Sequence, residues 1–197
     1  MTGARKSTKE LTTLYKNVMS ILRKSGVGMI LCYGSLLGYH REHNFIEGDD
    51  DIDVMVSRSD FHKLVGFLNK ATFTPVNRKF YNCSGITFKF WNYTPFKVWH
   101  ETSLLQVYYR GTGPVDIYAY DLIDDNIVLK SCFNHAFPKS AILPAIPIVL
   151  HDFRVFVPAD VEQTVILSYG KDWRIPKVKN EDYVWEEIPE VILLKNV

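Results

Sequence analysis

Four carboxylates crowd into five residues of the stretch "GDDDIDV" (48–54): Asp49, Asp50, Asp51 and Asp53. The following apolar alternation makes "DIDVMV" a strand on which Ile52, Val54 and Val56 share one face, and Asp51, Asp53 and Met55 the other. That strand is expected to bury the first face and present its carboxylates on the opposite one. Side chains at i and i+2 point the same way from Cα atoms roughly 6.5–7 Å apart. Two anions held so close repel each other unless a cation sits between them. Paired hard oxygens suit Mg²⁺ or Mn²⁺, above all where substrate phosphates complete the shell. Two such metals about 3.5–4 Å apart would activate a nucleophile and stabilise a phosphate leaving group.

A site of that kind needs a third carboxylate. Asp116 is the candidate, because in "VDIYAY" (115–120) it alternates with Val115, Ile117 and Ala119 as Asp53 does with its neighbours. Asp121, Asp124 and Asp125 stand in turn-like sequence, where solvation accounts for them. Asp49 and Asp50 read as turn residues or as groups behind the ligands. An EF-hand loop is excluded, since Val54 occupies the position where that loop needs glycine. Upstream, Gly34-Ser35 in "YGSLLG" closes a short apolar run and opens a helical turn. Glycine lets backbone approach a phosphate, and amides at a helix N-terminus with a serine hydroxyl can bind its oxygens. A Gly-Ser pair alone is a common turn. Before an Asp-x-Asp strand, it suggests a phosphate cradle beside a metal dyad.

The elements that must position these groups can be read from periodicity. Leu11, Leu14, Tyr15, Val18, Met19 and Leu22 recur at helical spacing over 8–25, ended by Ser25-Gly26. "VGMILCYG" (27–34) reads as a short buried strand and "SLLGYHRE" as a short helix. Ser57 to Asp60 can cap a helix carrying Phe61, Leu64, Val65 and Leu68 on one side. Strand patterns follow in "GITFKFWNY", "LLQVYYR", "VDIYAY" and "IVLK", with turns expected at "GTGP" (111–114) and "IDDN" (123–126). Residues 137–158 hold four of the nine prolines and are expected to be irregular apart from a short strand at "FRVFV". A helix over 159–169 starts at Asp160–Gln163 and ends at Gly170. The tail 176–197 is expected to wrap the surface.

The chain has 197 residues, expected to form a single domain with its core at about 8–176. A net charge of +1 gives no broad nucleic-acid surface, and no apolar run is long enough to span a bilayer. No apolar segment follows the basic N-terminus, so no signal peptide is read here. Cys32, Cys83 and Cys132 form no CxxC pair and no zinc pattern. They read as mostly buried thiols of a reducing compartment, with one disulfide plus a free thiol as the alternative.

"YGSLLGYHREHNFIEGDDDIDVMV" resembles the signature of the LicD/fukutin family, within the nucleotidyltransferase-fold superfamily. "VDIYAYD" (115–121) resembles that family's later acidic strand, and "VPADVEQTVILSYGKDWRIP" (157–176) resembles its closing segment. The three matches keep the family's order from about residue 31 to 176; the first is specific and the other two are weak alone. Where the family usually has Pro-Trp, this chain has Glu47-Gly48.

The resemblance implies an α+β nucleotidyltransferase-like fold, a mixed β-sheet flanked by helices. It implies a phosphotransferase that moves a phospho-alcohol, of phosphocholine or ribitol or glycerol phosphate type, from a CDP-linked donor to a glycan or glycoconjugate acceptor. Asp51 and Asp53 would bind Mg²⁺ or Mn²⁺. Asp116 would complete the site and act as base for the acceptor hydroxyl. Gly34 and Ser35 would hold donor phosphate, and Arg41 would neutralise phosphate charge. Two other readings stand beside this one: a non-catalytic nucleotide- or glycan-binding relative, and a nucleotidyltransferase acting on a small acceptor. This chain alone reads as cytoplasmic, whereas a trimmed or partner-anchored fukutin-type protein would sit in the Golgi lumen. His40 and His43 lack further zinc ligands, His100 reads as a plain polar residue or an acceptor-site base, and the aromatic cluster at 88–99 reads as core.

Overall fold

The structure, a computed structural model, describes residues 4–70, 81–83, 86–91, 104–110, 112–130 and 135–176. The first half runs α1 (Thr8–Leu22), β1 (Ile30–Leu31), α2 (Tyr33–Glu42), β2 (Ile52–Ser57) and α3 (Arg58–Lys70). Then come β3 (Tyr81–Cys83), β4 (Ile86–Trp91), β5 (Leu104–Tyr109), β6 (Thr112–Ile123), β7 (Asn126–Leu129) and β8 (His135–Pro138). The short α4 (Lys139–Ile142), β9 (Ile146–Leu150), β10 (Phe153–Val157) and α5 (Val161–Tyr169) close the described chain. The architecture is α+β, one mixed sheet with flanking helices.

The strands lie in the order β3-β4-β5-β6-β2-β1-β10-β9, with β7 on the far half of β6 and β8 beside β7. β2 and β6 are central and parallel, as are β1 and β10; the other pairs are antiparallel. On one face Ile52, Val54 and Val56 of β2 join Val115, Ile117 and Ala119 of β6 and Leu105 and Val107 of β5. Helix α1 covers them with Leu11, Leu14, Tyr15, Val18 and Leu22, and α3 with Phe61, Leu64, Val65 and Leu68. Full burial of each such side chain contributes about 1.5–3 kcal/mol, which holds α1 and α3 on the sheet.

The expectation that β2 buries only one face is corrected. Met55 is fully buried on the carboxylate face, packed with Ile30, Cys32, Tyr33, Leu104, Tyr118, Leu129 and Ile142. Parallel central strands are covered on both sides, and here the second cover comes from segments far away in sequence. Residues 137–158 are also not irregular. They supply the end of β8, then α4, then the hairpin of β9 and β10 turned at His151-Asp152, both in left-handed backbone (φ 46° and 73°). Pro147 lies in β9, the edge strand, where a missing N–H costs no sheet bond. The turn expected at 111–114 shifts as well. β6 already starts at Thr112, and the chain reverses around Arg110 (φ 49°), next to a register shift at Tyr108/Tyr109.

Helix starts follow the capping chemistry. Ser7 and Glu10 form a reciprocal capping box on α1, a signal unread in the sequence. Ser57 accepts from the Asp60 amide (3.1 Å) at the head of α3, and Asp160 from the Gln163 amide (2.9 Å) at the head of α5. No helix among the described residues is long and apolar enough to cross a membrane. The side chain of Cys83, Cys132, His100, the aromatic cluster at 88–99 and the tail beyond 176 lie outside what the structure describes.

Candidate metal centre

The parallel pairing of β2 with β6 sets Asp53 opposite Asp116, residue for residue. Both side chains leave the sheet on the same face, and Asp51 precedes β2 by one residue on that face. One carboxylate oxygen each from Asp51, Asp53 and Asp116 lies within 4.8 Å of the others. Asp53 and Asp116 are buried and Asp51 is half-buried. An octahedral cation with bonds near 2.1 Å needs ligand oxygens about 3 Å apart when cis and about 4.2 Å when trans. The three carboxylates thus stand within a small side-chain adjustment of that geometry, and the donor set, all hard oxygen, fits Mg²⁺ or Mn²⁺.

Two of the three carboxylates, Asp53 and Asp116, are fastened by hydrogen bonds. The Gly34 amide donates to Asp53 Oδ2 (3.1 Å), and the Tyr118 hydroxyl donates to Asp53 Oδ1 (3.2 Å). Gln106 Nε2 donates to both oxygens of Asp116, at 2.9 and 3.1 Å. A carboxylate has about four lone-pair positions, so it can accept such bonds and bind a metal at once. The negative field is felt nearby. Burial first, then Asp53, Asp116 and Asp51, raise the Cys32 thiol well above its ordinary range, so it stays protonated near neutral pH. Burial, then Asp53 and Asp116, raise the Tyr118 phenol in the same way.

Gly34 and Ser35 form the first turn of α2, directly against this cluster. A Cβ on Gly34 would fall 2.6 Å from Asp49 Oδ2 and 3.3 Å from Asp53 Oδ2, so any side chain here must push these carboxylates aside. The Ser35 hydroxyl oxygen accepts the Asp53 backbone amide (2.9 Å), tying α2 to β2. Both residues therefore contact the acidic strand itself. Arg41 lies seven residues further along α2, about 10 Å down its axis, where its guanidinium donates to the Trp173 carbonyl. The structure brings Asp51, Asp53, Asp116, Gly34 and Ser35 together and leaves Arg41 at the other end of α2.

Asp50, read as a turn residue or a group behind the ligands, is buried (8% exposed), so solvation does not account for it. Lys6 donates to its carbonyl, and the Lys6 amide to the Asp49 carbonyl (2.9 Å), so the segment ahead of α1 seals the acidic loop. The Glu47-Gly48 pair belongs to the same seam. Glu47 Oε2 accepts from the amide (2.8 Å) and hydroxyl (2.7 Å) of Thr8 at the start of α1, where the helix dipole favours an anion. Gly48 sits at φ 85°, a conformation that strains any residue with a Cβ, and its amide donates to the Lys6 carbonyl (2.9 Å). Gln106 and Tyr108 were missed by sequence reasoning. Their signal was available, because they alternate with the core residues Leu105 and Val107 on β5.

The family described as "LicD/FKTN/FKRP, nucleotidyltransferase domain" matches residues 26–160. Comparison with curated proteins gives no match. Among solved structures, the chain is similar to the lincosamide antibiotic adenylyltransferase LnuA in its lincomycin-bound form. Identity is 16%, the TM-score is 0.42, and the alignment covers 81% of this chain and 84% of that one.

Proposed function

We infer function from one premise: this chain belongs to the LicD/FKTN/FKRP nucleotidyltransferase-domain family, a family of transferases. We propose that it moves a phospho-alcohol, of phosphocholine or ribitol or glycerol phosphate type, from a CDP-linked donor to a glycan or glycoconjugate acceptor. Mg²⁺ or Mn²⁺ would be held by Asp51, Asp53 and Asp116. The observation that carries the reading is the meeting of these three carboxylates, one oxygen each within 4.8 Å, against the N-terminus of α2.

When bound, a cation held by Asp51, Asp53 and Asp116 would supply positive charge against the donor phosphates and make loss of the acceptor's proton easier. The chain's own groups do the rest. The acceptor hydroxyl oxygen forms a bond to the phosphorus of the phospho-alcohol, and the bond from that phosphorus to the CMP oxygen breaks. The hydroxyl proton passes to Asp116, whose carboxylate Gln106 holds in place through two hydrogen bonds. The first turn of α2 stands beside the donor phosphates, where Gly34 lets them approach and the helix dipole at Ser35 favours their charge. Arg41 fastens α2 to the Trp173 carbonyl in this conformation and so aligns that turn from its far end.

The test is a thermal-shift panel of CDP-choline, CDP-ribitol, CDP-glycerol and NTPs, with and without Mg²⁺ or Mn²⁺, followed by product analysis. A ligand at 100 times its Kd adds about 2.7 kcal/mol, which at this size raises Tm by about 5–10 °C. A metal-dependent shift with a CDP-alcohol, and transfer of the alcohol phosphate with release of CMP, support the reading. Pyrophosphate release from an NTP, with the nucleotide left on the acceptor, would replace it with nucleotidyl transfer. Absence of any metal-dependent nucleotide shift would sink it.

A further inference from the structure

Pairing registers place Gln106 of β5, Asp116 of β6 and Asp53 of β2 in one row across three adjacent strands. Side chains of one row leave the sheet on the same side, so Gln106 stands beside Asp116 as Asp53 does on the other flank. Tyr108, two residues along β5, faces the same way, and its hydroxyl donates to Gln106 Oε1 (2.9 Å). Gln106 Nε2 then donates to both oxygens of Asp116. A glutamine amide can turn over, which would bring its carbonyl oxygen against the carboxylate. The Asp116 carboxylate, which can only accept, selects the orientation with nitrogen toward the anion, and the Tyr108 hydroxyl donates to the oxygen left on the other side.

The consequence concerns Asp116 more than Gln106. A lone aspartate on a strand rotates its carboxylate freely about its last side-chain bond. The Gln106 nitrogen, shared between both oxygens at 2.9 and 3.1 Å, favours the setting of that rotation in which the two oxygens face β5 together. The repulsion among three close carboxylates pushes each to turn away from the others. Gln106 works against that push at Asp116, as the Gly34 amide and the Tyr118 hydroxyl do at Asp53.

We propose that Gln106, anchored by its hydrogen bond from Tyr108, is a positioning residue that holds Asp116 ready to bind the divalent cation alongside Asp51 and Asp53. The inference rests on the metal reading given above. Partners that orient metal-binding carboxylates typically affect affinity by about 10–100-fold when removed.

The experiment is a Mn²⁺ titration of the full chain without substrate, free Mn²⁺ being read from its electron paramagnetic resonance signal, with circular dichroism as a check on folding. Gln106→Leu is expected to weaken Mn²⁺ binding by about 10–100-fold, and Tyr108→Phe by about 3–10-fold. The double variant should bind as Gln106→Leu does, because Tyr108 acts through Gln106. On an Asp116→Asn background Gln106→Leu should add no further loss. Wild-type affinity in folded Gln106→Leu overturns the inference and leaves the metal reading standing. So does an undiminished effect of Gln106→Leu on the Asp116→Asn background. If Gln106→Leu does not fold, Tyr108→Phe decides by itself, and wild-type affinity there overturns the inference. A wild-type chain that binds no Mn²⁺ overturns both.

Discussion

Replacing Asp116 by asparagine should raise the stability of the metal-free protein while removing its response to metal. Asp116 has an oxygen within 4.8 Å of oxygens on both Asp51 and Asp53, and it is 5% exposed. Two unit charges at that distance repel by about 3.5 kcal/mol at an effective dielectric of about 20. Asp51 is only half-buried, so solvent screens part of this. Asparagine can still turn its oxygen to Gln106 and its amide to the remaining carboxylates, giving up one of the two Gln106 bonds at about 1 kcal/mol. The net expectation is a gain of about 1–2 kcal/mol without metal, or about 2–8 °C in Tm for a chain of this size. With Mn²⁺ at 100 times the wild-type Kd the wild type gains about 2.7 kcal/mol, and the variant a small fraction of that. Differential scanning fluorimetry in EDTA and in Mn²⁺ should therefore show the two proteins exchanging rank. A lower Tm than wild type in EDTA, together with a preserved Mn²⁺ shift, would refute the electrostatic reasoning and make Asp116 a structural residue.

Ser35→Ala leaves the buried Asp53 amide without its acceptor and should cost about 1–3 kcal/mol in urea unfolding, before any ligand is added; an unchanged midpoint would mean that the tie from α2 to β2 contributes nothing. Gly34→Ala should leave stability within about 1 kcal/mol, because alanine's helix preference offsets the displaced Asp49 side chain. The same change should weaken Mn²⁺ binding measurably, since Asp53 Oδ2 must move as well. Burial holds His135 down to about 4, against an ordinary 6.5. Above about pH 6.5 the ring is neutral in both folded and unfolded chains. Between pH 6.5 and 4 the unfolded chain takes up the proton first, so stability falls, by at most about 3 kcal/mol, and the loss is complete below pH 4. His135→Phe should flatten that part of the stability–pH curve relative to wild type, and identical curves would contradict the assignment.

The alternation around Asp53 and Asp116 was legible because a strand's side chains obey a period of two wherever it lies. Their meeting was legible only as a question, since register between strands 63 residues apart is set by the whole sheet. What covers the carboxylate face was not legible. Tyr33, Leu129, Phe137 and Ile142 reach it from separate segments, and no local pattern announces that. The prolines of 137–158 misled for a physical reason. Pro138 ends a strand and Pro147 sits on an edge, two places where a sheet tolerates proline, so their density marked strand limits rather than loss of structure. Glu47 and Gly48 stood out as departures from the family pattern; only the contacts to Thr8 and Lys6 give them a local purpose.

The residue-for-residue match of Asp53 with Asp116 makes the centre an arithmetic property of two strands. Deleting one residue between Thr112 and Asp116 while the pairing is kept would put Asp116 in the slot of Val115 and turn it to the α1 and α3 face, beside Ile52 and Val107. Deleting two would restore its side but carry it about 6.5–7 Å along the strand, a full ligand shell away. Odd and even changes in chain length thus fail in different ways, one by burying a charge in hydrocarbon and the other by leaving a folded protein with an incomplete ligand set. Parity sets which face Asp116 takes, and the exact count of residues along the strand sets whether it reaches Asp53.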